Sequence, residues 1–377
     1  MCCYIAFPLL RPGLDPNALQ SYVPLIEGAK LRCIQREDYL NSLGARVRVL
    51  EMVHDIVMLS AVSSLHGHEA REMFNEKFPK LFFELEGGMT AVSFVLPALP
   101  LPYNIRRDRA QRSLASIYTK IIEARRSANF DDNICPDEGK DIISHLMRST
   151  YKDGIPLPDK EIAHLMIAVV MGGQHLASAI ASWTLLRLAS EPAIVDELYR
   201  EQSAVTGSAH EPLCLKDVQK PTLLWKVIKE TLPVHPPLQS LLRNSLRSMV
   251  IGSSRWVIPI GRVLLASPAY TNRNSDIYPQ PERWDPYCWE LGNDDKRTGD
   301  HPLSQGKTVL PFGAGSHYCI GEDFSNVQLM TIIVTIIWLF CLENPPGREG
   351  VPGIDYTSLS SFPIEPAEII LRPRDVN

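Results

Sequence analysis

Apolar residues recur at three- and four-residue spacing through Leu19–Cys33, Tyr39–Ser64 and Glu69–Glu84, the period of one buried helix face. Pro97-Ala98-Leu99-Pro100-Leu101-Pro102 breaks that period as a stiff connector, since each proline fixes φ and lacks an amide donor. Helical spacing returns with a charged face at Arg107–Arg126 and again at Lys140–Met147, with a polar loop over 129–139 between them. A long helix is expected from Pro158-Asp159 through Leu188. Its stretch Leu165–Met171 is apolar on every side and is therefore predicted to be buried all round. Gly172 and Gly173 interrupt it, each costing about 1 kcal/mol relative to alanine. Either something presses close to the backbone there, or the helix packs tightly on another.

Beyond Pro221 a short helix is expected over Leu223–Leu232, ended by Pro233. Arg255–Ile258 and Arg262–Ala266, joined through Pro259-Ile260-Gly261, have the form of a β-hairpin, about 255–266. Pro279, Pro281 and Pro286 exclude regular structure over Tyr278–Trp289. A glycine-punctuated loop, 311–321, leads into a last apolar core helix over 323–342. The pattern is mainly α with a minor β-sheet portion, without repeats.

Composition narrows the partners. The 377 residues are 45% hydrophobic and 21% charged, ordinary globular usage, and the net charge of −5 supplies no basic excess for nucleic acid. Eight cysteines without a C-x-x-C pair match neither a disulfide framework nor a zinc site, so the default is a reducing compartment and inert buried thiols. Met1–Leu10 has no basic n-region, and the apolar run Leu329–Leu342 is too short to span a bilayer, so no membrane crossing is expected. His66-Gly67-His68-Glu69 carries metal-capable residues but reads as a solvated helix cap.

The informative segment is Pro311-Phe312-Gly313-Ala314-Gly315-Ser316-His317-Tyr318-Cys319-Ile320-Gly321-Glu322. A cysteine in a glycine-rich loop just ahead of a long helix meets backbone N–H groups, which should lower its pKa and favour the metal-binding thiolate. A thiolate on haem iron favours O–O cleavage.

This F-x-x-G-x-H-x-C-x-G loop resembles the haem-binding signature of the cytochrome P-450 superfamily. Gly172-Gly173-Gln174-His175, Lys229-Glu230-Thr231-Leu232, His235-Pro236-Pro237-Leu238, Trp284-Asp285-Pro286, Arg106-Arg107 through Arg125-Arg126 and Asp355-Tyr356-Thr357-Ser358-Leu359 resemble sterol 14α-demethylases, especially fungal ones. The resemblance implies a cytochrome P-450 fold, a helical prism around haem. It occupies 13–377, with 1–12 unassigned, and lacks the N-terminal anchor and first helices of the family. It implies iron protoporphyrin IX, O2, and electrons from NADPH through a cytochrome reductase. The reaction would be three oxidations that remove the 14α-methyl of a lanostane-type sterol. By the same resemblance the location is the endoplasmic reticulum membrane, or the cytoplasm for a chain without an anchor.

Residue by residue, the resemblance makes Cys319 the axial iron ligand and Phe312 a shield for its sulfur. Gly315 and Gly321 let the backbone approach, and His317 and Arg243 meet haem propionates. His175 delivers protons at the oxygen site, and Met89, Gly172, Gly173, Ser240 and Leu242 line the substrate pocket. Three departures stand out. Leu176 and Ala177 replace two hydroxyl residues, leaving Ser178 as the nearest hydroxyl. Pro233 and Cys288 replace two arginines that pair with Glu230, and breaking such a buried pair costs about 3–5 kcal/mol. Glu230 is therefore expected to find another cation, Arg243 or Arg283. Met89 replaces an aromatic residue. Three haem-bearing readings stay open: a monooxygenase of a sterol or related triterpenoid, a haem- or sterol-binding paralogue without turnover, and a paralogue with a changed substrate in secondary metabolism. A fragment without haem is the fourth.

Overall fold

Helices run over Pro16–Arg36 (α1), Val49–Leu65 (α2), Gly67–Glu72 (α3), Lys77–Glu86 (α4), Pro102–Ser127 (α5), Ile142–Arg148 (α6), Asp159–Ser190 (α7), Pro192–Thr206 (α8), Leu215–Gln219 (α9), Leu223–Val234 (α10), Pro268–Thr271 (α11) and Glu322–Leu339 (α12). The strands are Ala45–Arg48 (β1), Leu241–Asn244 (β2), Met249–Val250 (β3), Val257–Ile258 (β4), Val263–Ala266 (β5), Phe340–Glu343 (β6), Ile354–Asp355 (β7), Phe362–Pro363 (β8) and Glu368–Pro373 (β9). The structure, a computed structural model, describes residues 9–36, 44–72, 77–88, 92–93, 96, 98–127, 141–206, 213–219, 223–252, 254–276, 278, 280–289, 309–356 and 360–374. The expected mainly α architecture with a minor sheet is what forms.

The central helix α7 is the hub. It packs against α2, α5, α10 and α12, and also touches β8 and β9. Two helices, α7 and α12, are long and apolar enough to cross a membrane by length and composition, contrary to the run-length expectation. Both are core helices here: 56% and 72% of their apolar windows are buried. In α12 every residue from Val327 to Trp338 is buried, which explains a hydrophobic pattern with no polar face. Strand β9 lies between β1 and β6, antiparallel to both, and closes the core beside α12.

Several elements differ from the sequence pattern. Residues 45–48 extend as β1 because they pair with Leu371 back to Glu368, and the helix over the described rest of Tyr39–Ser64 starts at Val49; 39–43 lie outside the described residues. The last apolar run leaves the helix at Phe340 and enters the sheet as β6. Helix α10 extends past Pro233 to Val234, and Pro286–Cys288 forms one 3-10 turn inside the proline-rich segment. Of the expected helix Glu69–Glu84, the described parts are α3 and α4, and 73–76 lie outside the described residues. Residues 129–139 lie outside the described residues.

The expected hairpin is part of a longer ribbon. Strand β4 pairs with β3 and β5 with β2, not with each other. Leu241 faces Ala266 and Val250 faces Val257, so one register runs through both pairs. Ser245 N–H donates to Arg262 O at 2.8 Å and bridges the gap.

Within the segment read as a solvated cap, His66 is interior and Gly67 and Glu69 are half-buried. His66 is fully buried at the end of α2, its Nδ1 is 2.7 Å from Tyr118 Oη, and burial beside Arg125 pushes its pKa down to about 3. Arg125 is itself buried and pairs with Glu69 at 2.6 Å and Asp141 at 2.9 Å. Gly67 has φ +83°, and a Cβ there would stand 2.4 Å from both Arg125 Nη2 and Asp141 Oδ2. Only glycine admits that network.

Candidate active site

Along the first half of α7, Glu161, His164, Ala168 and Gly172 are exposed at three- and four-residue spacing, while Ile162, Ala163, Met166, Ile167 and Val170 are buried. The stretch Leu165–Met171 is thus not buried on every side; it leaves one open face. At Gly172 and Gly173 the helix continues unbroken, and an added Cβ at either would meet nothing within 4 Å. Tight packing on another helix is therefore ruled out among the described residues. The glycines sit against open space.

His175 follows at the edge of that face, half-buried, its ring edge-on to Phe362 with centroids 4.6 Å apart. Its Nδ1 is 3.5 Å from Glu86 Oε1, and His54 Nε2 is 3.9 Å from Glu86 Oε2. Burial of Glu86 opposes ionisation, but the nearby His175 and His54 rings outweigh it and bring the carboxyl down to about 2. Gln174, fully buried, sets its amide against the His54 ring. Neither Glu86 nor His54 carries a sequence signal, since they reach His175 from α4 and α2 across about 90 and 120 residues. Leu176 is half-buried and Ala177 buried. Ser178 does not reach the open face: its hydroxyl is fully buried and has no hydrogen-bond partner among the described residues.

The cysteine loop precedes α12, which packs on α7. Gly313 and Gly315 have φ of +76° and +69°, the left-handed region that lets the chain reverse twice within the loop. Cys319 N–H donates to Phe312 O at 2.9 Å, closing the loop, and the Phe312 ring packs half-buried on the core. Gly321 caps α12 and turns its N–H towards the Cys319 sulfur. Partial enclosure nevertheless pushes the thiol above its ordinary range, and the Gly321 N–H offsets only part of this. The loop alone does not favour the thiolate, contrary to expectation; a cation at the sulfur must do so. The expectation of buried cysteines also fails: Cys319 and Cys214 are exposed, and Cys33, Cys288 and Cys341 are half-buried.

His317 is exposed in the 3-10 turn Gly315–His317. Ser240 and Leu242 are exposed at the root of the ribbon, and Arg243 is exposed with Nη1 donating to Leu242 O at 2.9 Å. That root is tied to α7: Leu238 bridges Ser360, and the buried Trp183 Nε1 donates to Ser361 O at 2.6 Å. Met89 lies outside the described residues.

Glu230 is fully buried, lies within the electrostatic reach of Arg187 and accepts from several neutral donors. Asp285 N–H reaches Oε1 at 2.9 Å, while Trp289 Nε1 and the Cys288 thiol reach Oε2 at 2.9 and 3.4 Å. Of the expected stand-ins, Arg283 pairs with Asp285, whose N–H reaches Glu230, at 3.2 Å, and Arg243 donates to its neighbour's carbonyl.

The fold and this loop define a haem-protein class, and the comparisons agree. The family model described as Cytochrome P450 matches residues 45–371, and the chain belongs to that family. Among solved structures, the chain overlays on a cytochrome P450, CYP102L1, with a TM-score of 0.80 at 18% identity, covering 98% of this chain and 81% of that one. A retinoic acid-bound cyanobacterial CYP120A1 gives 0.83 at 20% identity, covering 98% and 78%. Within the family the chain falls among the sterol 14-alpha demethylases. It is 38% identical to the eburicol 14-alpha-demethylase of Uncinula necator, covering 96% of this chain and 71% of that protein. It is also 38% identical to a sterol 14-alpha demethylase of Gibberella zeae, covering 97% and 72%.

Proposed function

We propose that the chain is a haem-thiolate monooxygenase that oxidises a sterol or related triterpenoid with O2 and electrons from a reductase, NADPH being the source. The observation that carries this reading is the pairing of an exposed cysteine, in a glycine loop at the head of a buried helix, with an open glycine face on the adjacent central helix. A flat prosthetic group fits such an opening: among the described residues, nothing beyond the chain's own neighbouring backbone lies within 4 Å of where a Cβ would stand at Gly172, Gly173 or Gly315. Cys319 would ligate the iron, and His317 and Arg243 would meet the propionates. Haem, when bound, supplies the dioxygen chemistry.

The chain's own residues do the rest. Glu86 facing His175 Nδ1 favours a proton on that nitrogen and leaves Nε2 to exchange protons with the open face. Gly172 and Gly173 keep space for ligand beside the helix, while Leu242 and Ser240 offer an apolar and a polar contact at the ribbon root. The sterol class is supported by the names of the similar fungal proteins. A second reading, a haem or sterol binder without turnover, is favoured by Leu176 and Ala177, which lack donors, and by the burial of Ser178. A reconstituted assay divides the two. Purified chain, reductase, NADPH and lanosterol or eburicol should yield the 14-demethylated sterol, whereas ligand-induced spectral shifts without product would favour the binder.

A further inference from the structure

Glu86 is the last residue of α4, and a negative charge at the C-terminal end of a helix is opposed by the helix dipole. Its side chain is only 13% exposed, so the carboxylate needs donors or positive charge close by. Two imidazoles meet that need, one at each oxygen. His175 Nδ1 stands 3.5 Å from Oε1, and His54 Nε2 stands 3.9 Å from Oε2. Among the described residues these two rings are the charged partners of Glu86. His175 has a proposed task at the oxygen site. His54 has none, yet it ties the cluster together: it projects from α2, which packs along α7, and the buried Gln174 amide lies against its Nε2 one residue before His175.

We propose that His54 is a positioning residue for proton delivery: held by Gln174 on α7, it anchors Glu86 Oε2, keeps Oε1 on His175 Nδ1 and so fixes His175 as the Nδ1–H tautomer. The inference rests on the proposed role of His175 and adds to it a residue from a third helix. A glutamate at a helix end has three rotatable bonds to fix, and a partner at one oxygen alone leaves the carboxylate free to turn. Partners on two different helices hold both oxygens. The Gln174 amide suits the anchor as well. Its Oε1 is buried without a partner among the described residues, and turning the amide over lets His54 Nε2–H donate to that oxygen while it still faces Glu86. Gln174 and His175 are consecutive on α7, so an anchor on the first sets where Glu86 meets the second.

The tautomer is read by nitrogen-15 NMR of the histidine-labelled, haem-loaded protein in its reduced, carbon-monoxide-bound form, which is diamagnetic, at about pH 8, above the ordinary imidazole range. The signals lost in His175→Gln assign that ring. The parent should show His175 protonated at Nδ1 and bare at Nε2. In His54→Leu, which fills the space without a donor, both nitrogens should move to the averaged shifts of a mobile imidazole, and turnover should fall about tenfold at little-changed KM. His54→Gln, whose amide places a donor near the Nε2 position, should restore the Nδ1 pattern and bring turnover to within about threefold of the parent. Matching melting temperatures identify the folded variants; if His54→Leu is not among them, His54→Phe takes its place. The tautomer needs no product, and the Soret band of the same sample shows whether haem is bound, so failure here is distinct from failure of the haem reading. His175 protonated at Nε2 in the parent, an unchanged Nδ1 pattern in His54→Leu, or equal loss in His54→Leu and His54→Gln would each overturn the proposal.

Discussion

The two halves of α7 are built on opposite terms. From Asp159 to Gly173 the helix keeps one face open, and its glycines border space that no side chain fills. From Ala177 to Leu186 it is buried on every side, with Trp183 stacked on His235 at 3.8 Å and 7° between the rings. The second half holds the molecule together. The first leaves room for chemistry, and the same helix joins the two rigidly.

That contrast can be broken from the packed end first. Trp183→Ala should cost about 3–5 kcal/mol, because it empties a large buried volume and orphans the Ser361 carbonyl, as a urea titration will show. Glu230→Gln should cost about 1–3 kcal/mol, since the new NH2 group faces donors at Asp285, Cys288 or Trp289. An unchanged urea midpoint would mean that these neutral donors do not hold the carboxylate. The next effect shows only in acid. Glu86 has a folded-state pKa depressed from 4.5 to about 2, so its stabilisation is complete above about 4.5 and is lost as pH falls through about 2. In Glu86→Gln that part of the acid-induced loss should vanish from urea midpoints measured across the window. Smallest in stability and opposite in sign is Gly172→Ala. It should gain about 0.5–1 kcal/mol from helix propensity, since the methyl meets nothing, yet lower turnover by intruding on the open face. A melt and a turnover assay on the same preparation read both.

How much of this was legible in the sequence follows from the range of each interaction. Helix period is local, so α1, α5, α7, α10 and most of α12 could be read directly, as could the loop around Cys319. Residues 45–48 kept an apolar pattern compatible with helix, and only pairing with β9 makes them a strand. The ribbon was half-seen because Pro259-Ile260-Gly261 was read as its turn, whereas the chain reverses at Gly252, φ +52°, with Ser254 N–H donating to Ile251 O at 2.9 Å. Glu86 and His54 join His175 from other helices, and no spacing rule reaches that far. The departures at Pro233 and Cys288 were visible as losses, whereas the donors that Asp285 and Trp289 bring to Glu230, and the nearby charge of Arg187, come together only on folding.

The central claim is a bond from Cys319 to haem iron, and the carbon-monoxide difference spectrum of the reduced, haem-loaded protein tests it most directly. The account predicts the red-shifted Soret band of thiolate ligation in the parent and its absence in Cys319→Ala at an unchanged fold. The same band in Cys319→Ala, or none in a folded parent that has been supplied with haem, would contradict it.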